Sequence, residues 1–374
     1  QENFICIGSL RLFHLLRRGD NIRKELKWIL IAFVVLALLG VLLGEPAERP
    51  AKSANQSQQE ITDNTTLQNS TPVKEESNDT INENTTKKQY ALPELTSSDT
   101  QNTNLTVHFI DVGQGDSILV EYANETMLVD AGESDKGANV SAFLREQGVT
   151  NLDYVVATHP HADHIGGMTD ILNEYTVGEF VDSGYPHTTQ TYENMLTIIE
   201  NKSIPFHVAE RGEALEFAPG IQVQVLNPKR KLSEDINENS VVLRIIDNNV
   251  SFLLMGDAGL ETEESIIYEG YDLDSDILKV GHHASTSASG ESFIAEVSPE
   301  ISIIEVGADN DYGHPHVEIL ERLQNVSMVY RTDYHGTITV TTDGLTYTVT
   351  TERTPPEQNS TMNTSSFPTI KAGN

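Results

Sequence analysis

Apolar and polar positions divide the chain into contrasting regimes. Trp28 to Gly44 is an uncharged apolar run, WILIAFVVLALLGVLLG, at the short end of what spans a bilayer as a helix. Residues 45–104 then hold almost no aromatic or large aliphatic side chains, and Asn, Gln, Ser, Thr, Glu and Pro dominate. Such a stretch cannot bury enough apolar area to offset its chain entropy, which predicts a disordered stalk. From Leu105 to Thr351 the pattern turns to short β-branched runs cut by turn residues, with a few amphipathic stretches between them. VHFIDV, SILVEY, ETMLVDAG, YVVATH, QVQVLN, VVLRII, SFLLMG, DILKVG, ISIIEVG, MVYRTD and ITVTT read as strands. Ala138 to Glu146, Ala162 to Asn173, Tyr192 to Asn201, Glu261 to Glu269, Glu291 to Val297 and Val317 to Gln324 read as helices. Two strand-rich halves with interspersed helices predict an α/β sandwich of sheets covered by helices, with loops at one edge free to carry a site. Residues 352–374 return to the stalk's composition and predict a disordered tail.

The flanks orient the apolar run. Arg11, Arg17, Arg18, Arg23, Lys24 and Lys27 precede it, and Glu45 and Glu48 follow it, which places the long C-terminal part outside the cell. A retained single-pass anchor is favoured over a cleaved signal peptide, because the run exceeds a typical signal core and no A-x-A site follows. The expected organisation is a cytoplasmic N-terminus at 1–27, an anchor at 28–44, a stalk at 45–104, one catalytic domain at 105–351 and a tail at 352–374. Within the stalk, N-x-S/T triplets at Asn55, Asn64, Asn69, Asn78 and Asn84 agree with a glycosylated exterior.

Charge narrows the environment. The net charge is −32, from 56 acidic against 24 basic residues. At about 1 M salt the screening length falls to roughly 3 Å, so dense carboxylates barely repel and keep the surface hydrated; a halophilic archaeon is the expected source. Acidity weakens a nucleic-acid reading, since affinity for a polyanion comes largely from Lys and Arg. Multimolar salt removes much of that objection, and bound metal ions can supply the local positive charge at a phosphate. The single cysteine, Cys6, precedes the apolar run, so metal ligands in the folded region must be His and carboxylate.

The decisive segment is Asp153 to Met168, DYVVATHPHADHIGGM. An apolar strand ends at Thr158, and His159, His161, Asp163 and His164 follow within six residues. Such a loop offers two imidazoles on alternate positions to one metal while the next turn brings a carboxylate and a third imidazole toward a second. This H-x-H-x-D-H resembles the signature of the metallo-β-lactamase superfamily. The ordered series DVGQGDS, LVDAG, THPHADHIGG, NSVVL, LLMGD, LKVGHHAS and YGHPH is similar, more specifically, to the extracellular hydrolase domain of ComEC-type competence proteins. The channel of those proteins is not expected here, since the chain has one apolar span.

The resemblance implies the αββα four-layer metallo-β-lactamase fold and two divalent metal ions. His159 and His161 would bind the first, Asp163 and His164 the second; Asp257 of LLMGD would bridge and His282 of VGHHAS would complete the second site. His283 is the alternative to His282, because register cannot separate neighbours. The third imidazole of the first site is replaced by Asn239 or a neighbour, which opens that site and moves metal preference from zinc toward manganese. Asp130 of LVDAG would hold a ligand imidazole from behind, or cap a turn. Asp111, Gln114 and Asp116 lie in a glycine-rich turn beside the site. Tyr312, His314 and His316 of YGHPH are candidates for contacting the scissile phosphate or leaving group.

The expected chemistry is hydrolysis of a phosphodiester in DNA by a hydroxide held between the metals, with Asp163 orienting it and His314 serving the departing oxygen. A rival reading keeps the metals and changes the substrate to a small phosphoester or other ester. A non-catalytic surface protein that binds DNA or a partner is the reading from a different class, and it predicts a degraded ligand set.

Overall fold

The structure, a computed structural model, describes residues 103–354. The expected anchor at 28–44, the stalk up to residue 102 and the tail beyond residue 354 lie outside the described residues. Among the described residues no helix is long and apolar enough to cross a membrane.

Two sheets form the centre. The first contains β1 (Leu105–Phe109), β2 (Ile118–Tyr122), β3 (Glu125–Val129), β4 (Asn151–Ala157), β5 (Thr176–Asp182), β6 (Phe206–Val208), β14 (Ile338–Thr342) and β15 (Tyr347–Thr351). Its spatial order is β15-β14-β1-β2-β3-β4-β5-β6, antiparallel as far as β3 and parallel from β3 to β6. The second contains β7 (Ala214–Ala218), β8 (Ile221–Asn227), β9 (Val242–Asp247), β10 (Val250–Leu254), β11 (Ile277–Lys279), β12 (Ile301–Ile304) and β13 (Met328–Arg331). Here the order is β13-β12-β11-β10-β9-β8-β7, parallel from β10 to β13 and antiparallel from β7 to β10. Each half of the chain therefore supplies a meander that passes into a parallel segment.

Period-two patterning explains the layers. Leu105, Val107, Phe109, Ile118 and Val120 of the first sheet share one buried cluster with Val223, Val225, Leu243, Ile245 and Phe252 of the second. The alternate residues Leu119, Leu128, Leu152 and Val155 turn outward. They pack under α1 (Gly137–Glu146), α3 (Met168–Glu174) and α4 (Gln190–Lys202) through Val140, Leu144, Ile171, Met195 and Ile199. On the other flank Val242, Leu253 and Leu278 lie under α5 (Leu260–Glu269), α6 (Glu291–Val297) and α7 (Val317–Gln324) through Ile266, Phe293, Ile294, Ile319 and Leu323. Helices, sheet, sheet and helices make the four-layer α/β arrangement.

The helix expected at 162–173 is two pieces, α2 (Ala162–Ile165) and α3, parted at Gly166 and Gly167. A Cβ on Gly167 would lie 2.3 Å from the Ala131 carbonyl oxygen, so the pair lets this corner press directly on the loop after β3.

Candidate metal centre

The loops that follow β1, β3, β4, β10, β11 and β12 meet at one edge of the sandwich, outside the carboxyl ends of the parallel strands. His159 leaves β4 two residues after its end and is buried, and His161 is the residue just before α2. Asp163 and His164 stand in the first turn of that helix. Asp257 follows β10 and His283 follows β11. The two histidines after β11 and the alanine behind them hold left-handed backbone, with φ of 48° at His282, 52° at His283 and 63° at Ala284. Non-glycine residues pay for that conformation, and its persistence at a ligand cluster fits a functional constraint.

Ligand-class atoms gather in three groups among the described residues, one of them the buried Asp116, Asp130 and His164, and the other two meet at Asp257. In one of those two, Asp163, His164, Asp257 and His283 each place a ligand atom within 4.8 Å of the others; in the second, His159, His161 and Asp257 do so. Asp257 belongs to both and divides its oxygens between them. Its Oδ1 lies 3.3 Å from His164 Nε2 and 3.4 Å from His283 Nε2, while Oδ2 lies 3.7 Å from His159 Nε2 and 3.7 Å from His282 Nε2. Three of the converging atoms, His164 Nε2, Asp257 Oδ1 and His283 Nε2, are buried without a hydrogen-bond partner. Buried polar atoms are nearly always satisfied, so three orphans aimed at one volume fit a cation there. The donors, imidazole nitrogen and carboxylate oxygen, suit a divalent metal ion.

Of the neighbours His282, expected first, and His283, its alternative, it is His283 that falls in the four-residue group. His282 is partly exposed and shares a 2.9 Å contact between its Nδ1 and Ser287 Oγ. Asn239, expected to replace the third imidazole of the first site, faces elsewhere. It is buried, its Oδ1 accepts from Ser233 N, and its Nδ2 donates to the carbonyls of Ser233 and Asp235, so it closes its own loop. The neighbour that reaches the site is Asn237, whose Nδ2 is 3.4 Å from His282 Nε2 and whose Oδ1 is buried without a partner.

Behind the ligands lies a buried layer of fixed hydrogen bonds. Asp130 Oδ2 is 2.7 Å from His164 Nδ1, and the same carboxylate accepts from Thr158 N and Oγ1. His283 Nδ1 donates to the Glu305 carbonyl at 2.8 Å and stands 3.4 Å from Asp116 Oδ1. Asp116 Oδ2 in turn pairs with Lys279 Nζ at 2.8 Å. Each arrangement engages Nδ1 and leaves Nε2 for the ligand group. Thr158, Lys279 and Glu305 were missed in the sequence. The legible signal for the last two was a charge inside an apolar strand or at its very end, in ILK and ISIIE.

Burial and charge oppose each other across the cluster. Burial and the neighbouring His164 hold the His159 imidazole well below its usual range. For His164 burial works the same way, and the carboxylates of Asp257, Asp163 and Asp130 overturn it, raising its pKa. Asp163 and Asp257 stay below the usual carboxylate range because His164 and His283 outweigh the burial of each. Carboxylates thus dominate the field at the orphaned nitrogens, a field that attracts cations.

The remaining candidates line the rim. His314 has its ring centroid 5.6 Å from that of His282 and 6.1 Å from that of His283, and Tyr312, 64% exposed, stacks on it at 5.6 Å with an interplanar angle of 19°. Asn310 fixes this loop, donating to the Gly307 and His314 carbonyls and accepting from the amides of Tyr312 and His314. His316 Nδ1 accepts from Thr286 N, a tie between loops. Asp111 is paired with Arg353 at 2.6 Å, and Gln114 Oε1 accepts from Gly307 N. Both line a neighbouring cavity of about 490 Å³ that contains none of the converging ligand residues. Of the histidines given no role, His187 lies 6.4 Å from His161 between ring centroids, whereas His108 is held between Thr339 and Glu121.

Known proteins resemble this region of the chain. The chain is 32% identical over 252 residues to ComE operon protein 3 of Bacillus subtilis (strain 168), covering 62% of this chain and 32% of that protein. It is 31% identical over 232 residues to competence protein ComA of Neisseria gonorrhoeae, covering 61% and 31%. With exodeoxyribonuclease WalJ of Streptococcus pneumoniae it shares 26% identity over 184 residues, covering 46% and 63%. The chain thus spans about a third of the length of the two competence proteins. Residues 110–307, more than half of the chain, match the model of the metallo-beta-lactamase superfamily, and the chain belongs to that superfamily.

Proposed function

We propose that this member of a superfamily of metal-dependent hydrolases is a two-metal phosphodiesterase that cleaves nucleic acid, DNA before RNA. The observation that carries it is the division of Asp257 between two ligand groups, one of four residues and one of three. His159, His161 and Asp257 would hold one ion, and Asp163, His164, Asp257 and His283 the other. Divalent ions held there would supply Lewis acidity, lowering the pKa of a water toward neutrality and neutralising phosphate charge.

The chain's own residues do the rest. Asp163 is the carboxylate of its group with an exposed edge, 19% accessible against 3% for Asp257, so it can accept a proton-bearing water from solvent and orient it. Asp130 and the Glu305 carbonyl keep His164 and His283 in one tautomer throughout. His314 stands over the His282–His283 corner, where a ring N–H can donate to a departing oxygen. The free face of Tyr312 offers a stacking surface to an unpaired base beside that corner. The competence proteins and the exodeoxyribonuclease among its relatives support nucleic acid as substrate. The apolar run at 28–44 supports a domain held at a membrane with its site outside the cell.

The test incubates the full chain in high salt with Mn²⁺ or Zn²⁺ and single- or double-stranded DNA, beside an Asp163→Ala/His164→Ala variant. Cleavage by the wild type that the variant lacks is the expected result. A wild type that binds metal and cleaves neither form would overturn the nucleic-acid assignment and leave small phosphoesters as the substrate class.

A further inference from the structure

We infer that Lys279 is a positioning residue of the metal centre, pinning Asp116 so that ligands from the two halves of the molecule meet. It rests on the metal-centre reading above and not on the identity of the substrate. The ligands come from both sheets: His159, His161, Asp163 and His164 follow β4, whereas Asp257 follows β10 and His283 follows β11. Something must set the two halves in register at this edge. Lys279 is the last residue of β11, four positions before His283, and its side chain is fully buried. Its Nζ meets Asp116 Oδ2 at 2.8 Å and donates to the Val280 carbonyl at 2.9 Å.

Asp116 comes from the other half, in the turn between β1 and β2, and it is 2% exposed. Its backbone N–H donates to the Asp163 carbonyl at 3.2 Å, and its carbonyl accepts from Gly132 N at 2.9 Å. Its Oδ1, buried without a hydrogen-bond partner, stands 3.4 Å from His283 Nδ1. One residue therefore touches a ligand from each half, and Lys279 holds its carboxylate in place. Glu305 completes the arrangement from β12's end: its carbonyl accepts from His283 Nδ1 and its Oε1 accepts from Ser117 N, next to Asp116.

A leucine or methionine would fill the site of Lys279 without the desolvation that a buried ammonium requires, and buried ion pairs are weak devices for stability alone. The pair's geometry is instead that of groups behind metal ligands, whose loss weakens metal affinity by roughly 10–100-fold.

The experiment compares the full wild-type chain with Lys279→Met and with Asp116→Asn/Lys279→Met, measuring the Tm of metal-free protein and Mn²⁺ affinity by calorimetry. Lys279→Met alone strands a buried carboxylate and should lower both. The double variant removes both charges together, so its metal-free Tm should return toward wild type while its Mn²⁺ affinity stays about 10–100-fold weaker. Wild-type affinity in the folded double variant would overturn the inference and leave the pair a purely structural one. If the double variant does not fold, Asp116→Asn alone decides: weakened affinity upholds the role and unchanged affinity refutes it. A wild type that takes up no Mn²⁺ or Zn²⁺ would refute the metal-centre reading itself and this inference with it.

Discussion

Gly115 shows how narrowly single residues constrain the centre. Its φ is +121°, and a Cβ there would lie 2.1 Å from the Asp163 carbonyl oxygen, so the turn after β1 touches the backbone of a ligand residue directly. Gly115→Ala should therefore cost on the order of 2–3 kcal/mol from the disfavoured conformation alone, and the clash should push Asp163 out of its group. Urea denaturation and Mn²⁺ titration check this together; wild-type affinity in the folded variant would show that the contact can yield. At this scale the sequence was legible where spacing carried the chemistry, as in the four ligand-class residues from His159 to His164. It was not legible where adjacent residues are the same in type and only the fold decides which of them points into the cluster. His282 and His283 both take left-handed φ, and no rule of alternation applies across such a turn, so the choice between them needed the structure. Which neighbour of Asn239 faces the site was not legible either, since the 3-10 turn Asn237–Asn239 decides it.

Elements were legible in proportion to their apolar content. The expected helices Glu291–Val297 and Val317–Gln324 have the observed bounds, whereas β5, β6, β7 and β15 were not foreseen. β15, YTVTT, is an edge strand with exposed alternate positions, and β5, TVGEFVD, is interrupted by Gly178, so neither offers a continuous apolar run. One of these missed elements carries a pH-sensitive tie. Asp182, at the end of β5, accepts from Gly184 N at 2.7 Å and from the Tyr192 hydroxyl at 3.3 Å, joining the strand to α4. Burial raises its carboxyl to about 7. A raised folded-state pKa favours the protonated form in the folded chain, so this group's contribution is fully present below about pH 4 and is lost as pH rises through about 7. Asp182→Asn keeps the acceptor oxygen and removes the charge. Compared by denaturation at pH 5 and pH 8, the variant should gain on wild type between the two by about 2–3 kcal/mol. An equal difference at both pH values would show that the carboxyl titrates normally.

For the whole molecule, charge and chemistry pull apart. A net charge of −32 repels a polyanion, while the candidate centre concentrates buried carboxylates that call for cations. Exposed carboxylates such as Glu261 and Glu264 of α5, Asp309 and Asp311 of the loop after β12, and Glu318 and Glu321 of α7 add to that charge on the surface. Their repulsion is long-ranged in dilute salt and is cut off within about 3 Å at 1 M, against about 8 Å at 0.15 M. Moving the metal-loaded chain from 0.15 M to 1 M KCl should therefore raise its Tm. The same change should leave the KM for single-stranded DNA nearly constant or lower it. A nuclease gripping phosphates through Lys and Arg behaves oppositely, losing roughly 10³–10⁵ in affinity between 50 and 200 mM salt when it makes 6–10 phosphate contacts. On the proposed function the grip would fall to the metal-ligand groups and the Tyr312 face, neither of which releases counterions from a basic surface. A KM that climbs steeply with salt would place substrate binding on basic side chains instead, and a Tm indifferent to salt would mean that the surface carboxylates do not strain the fold.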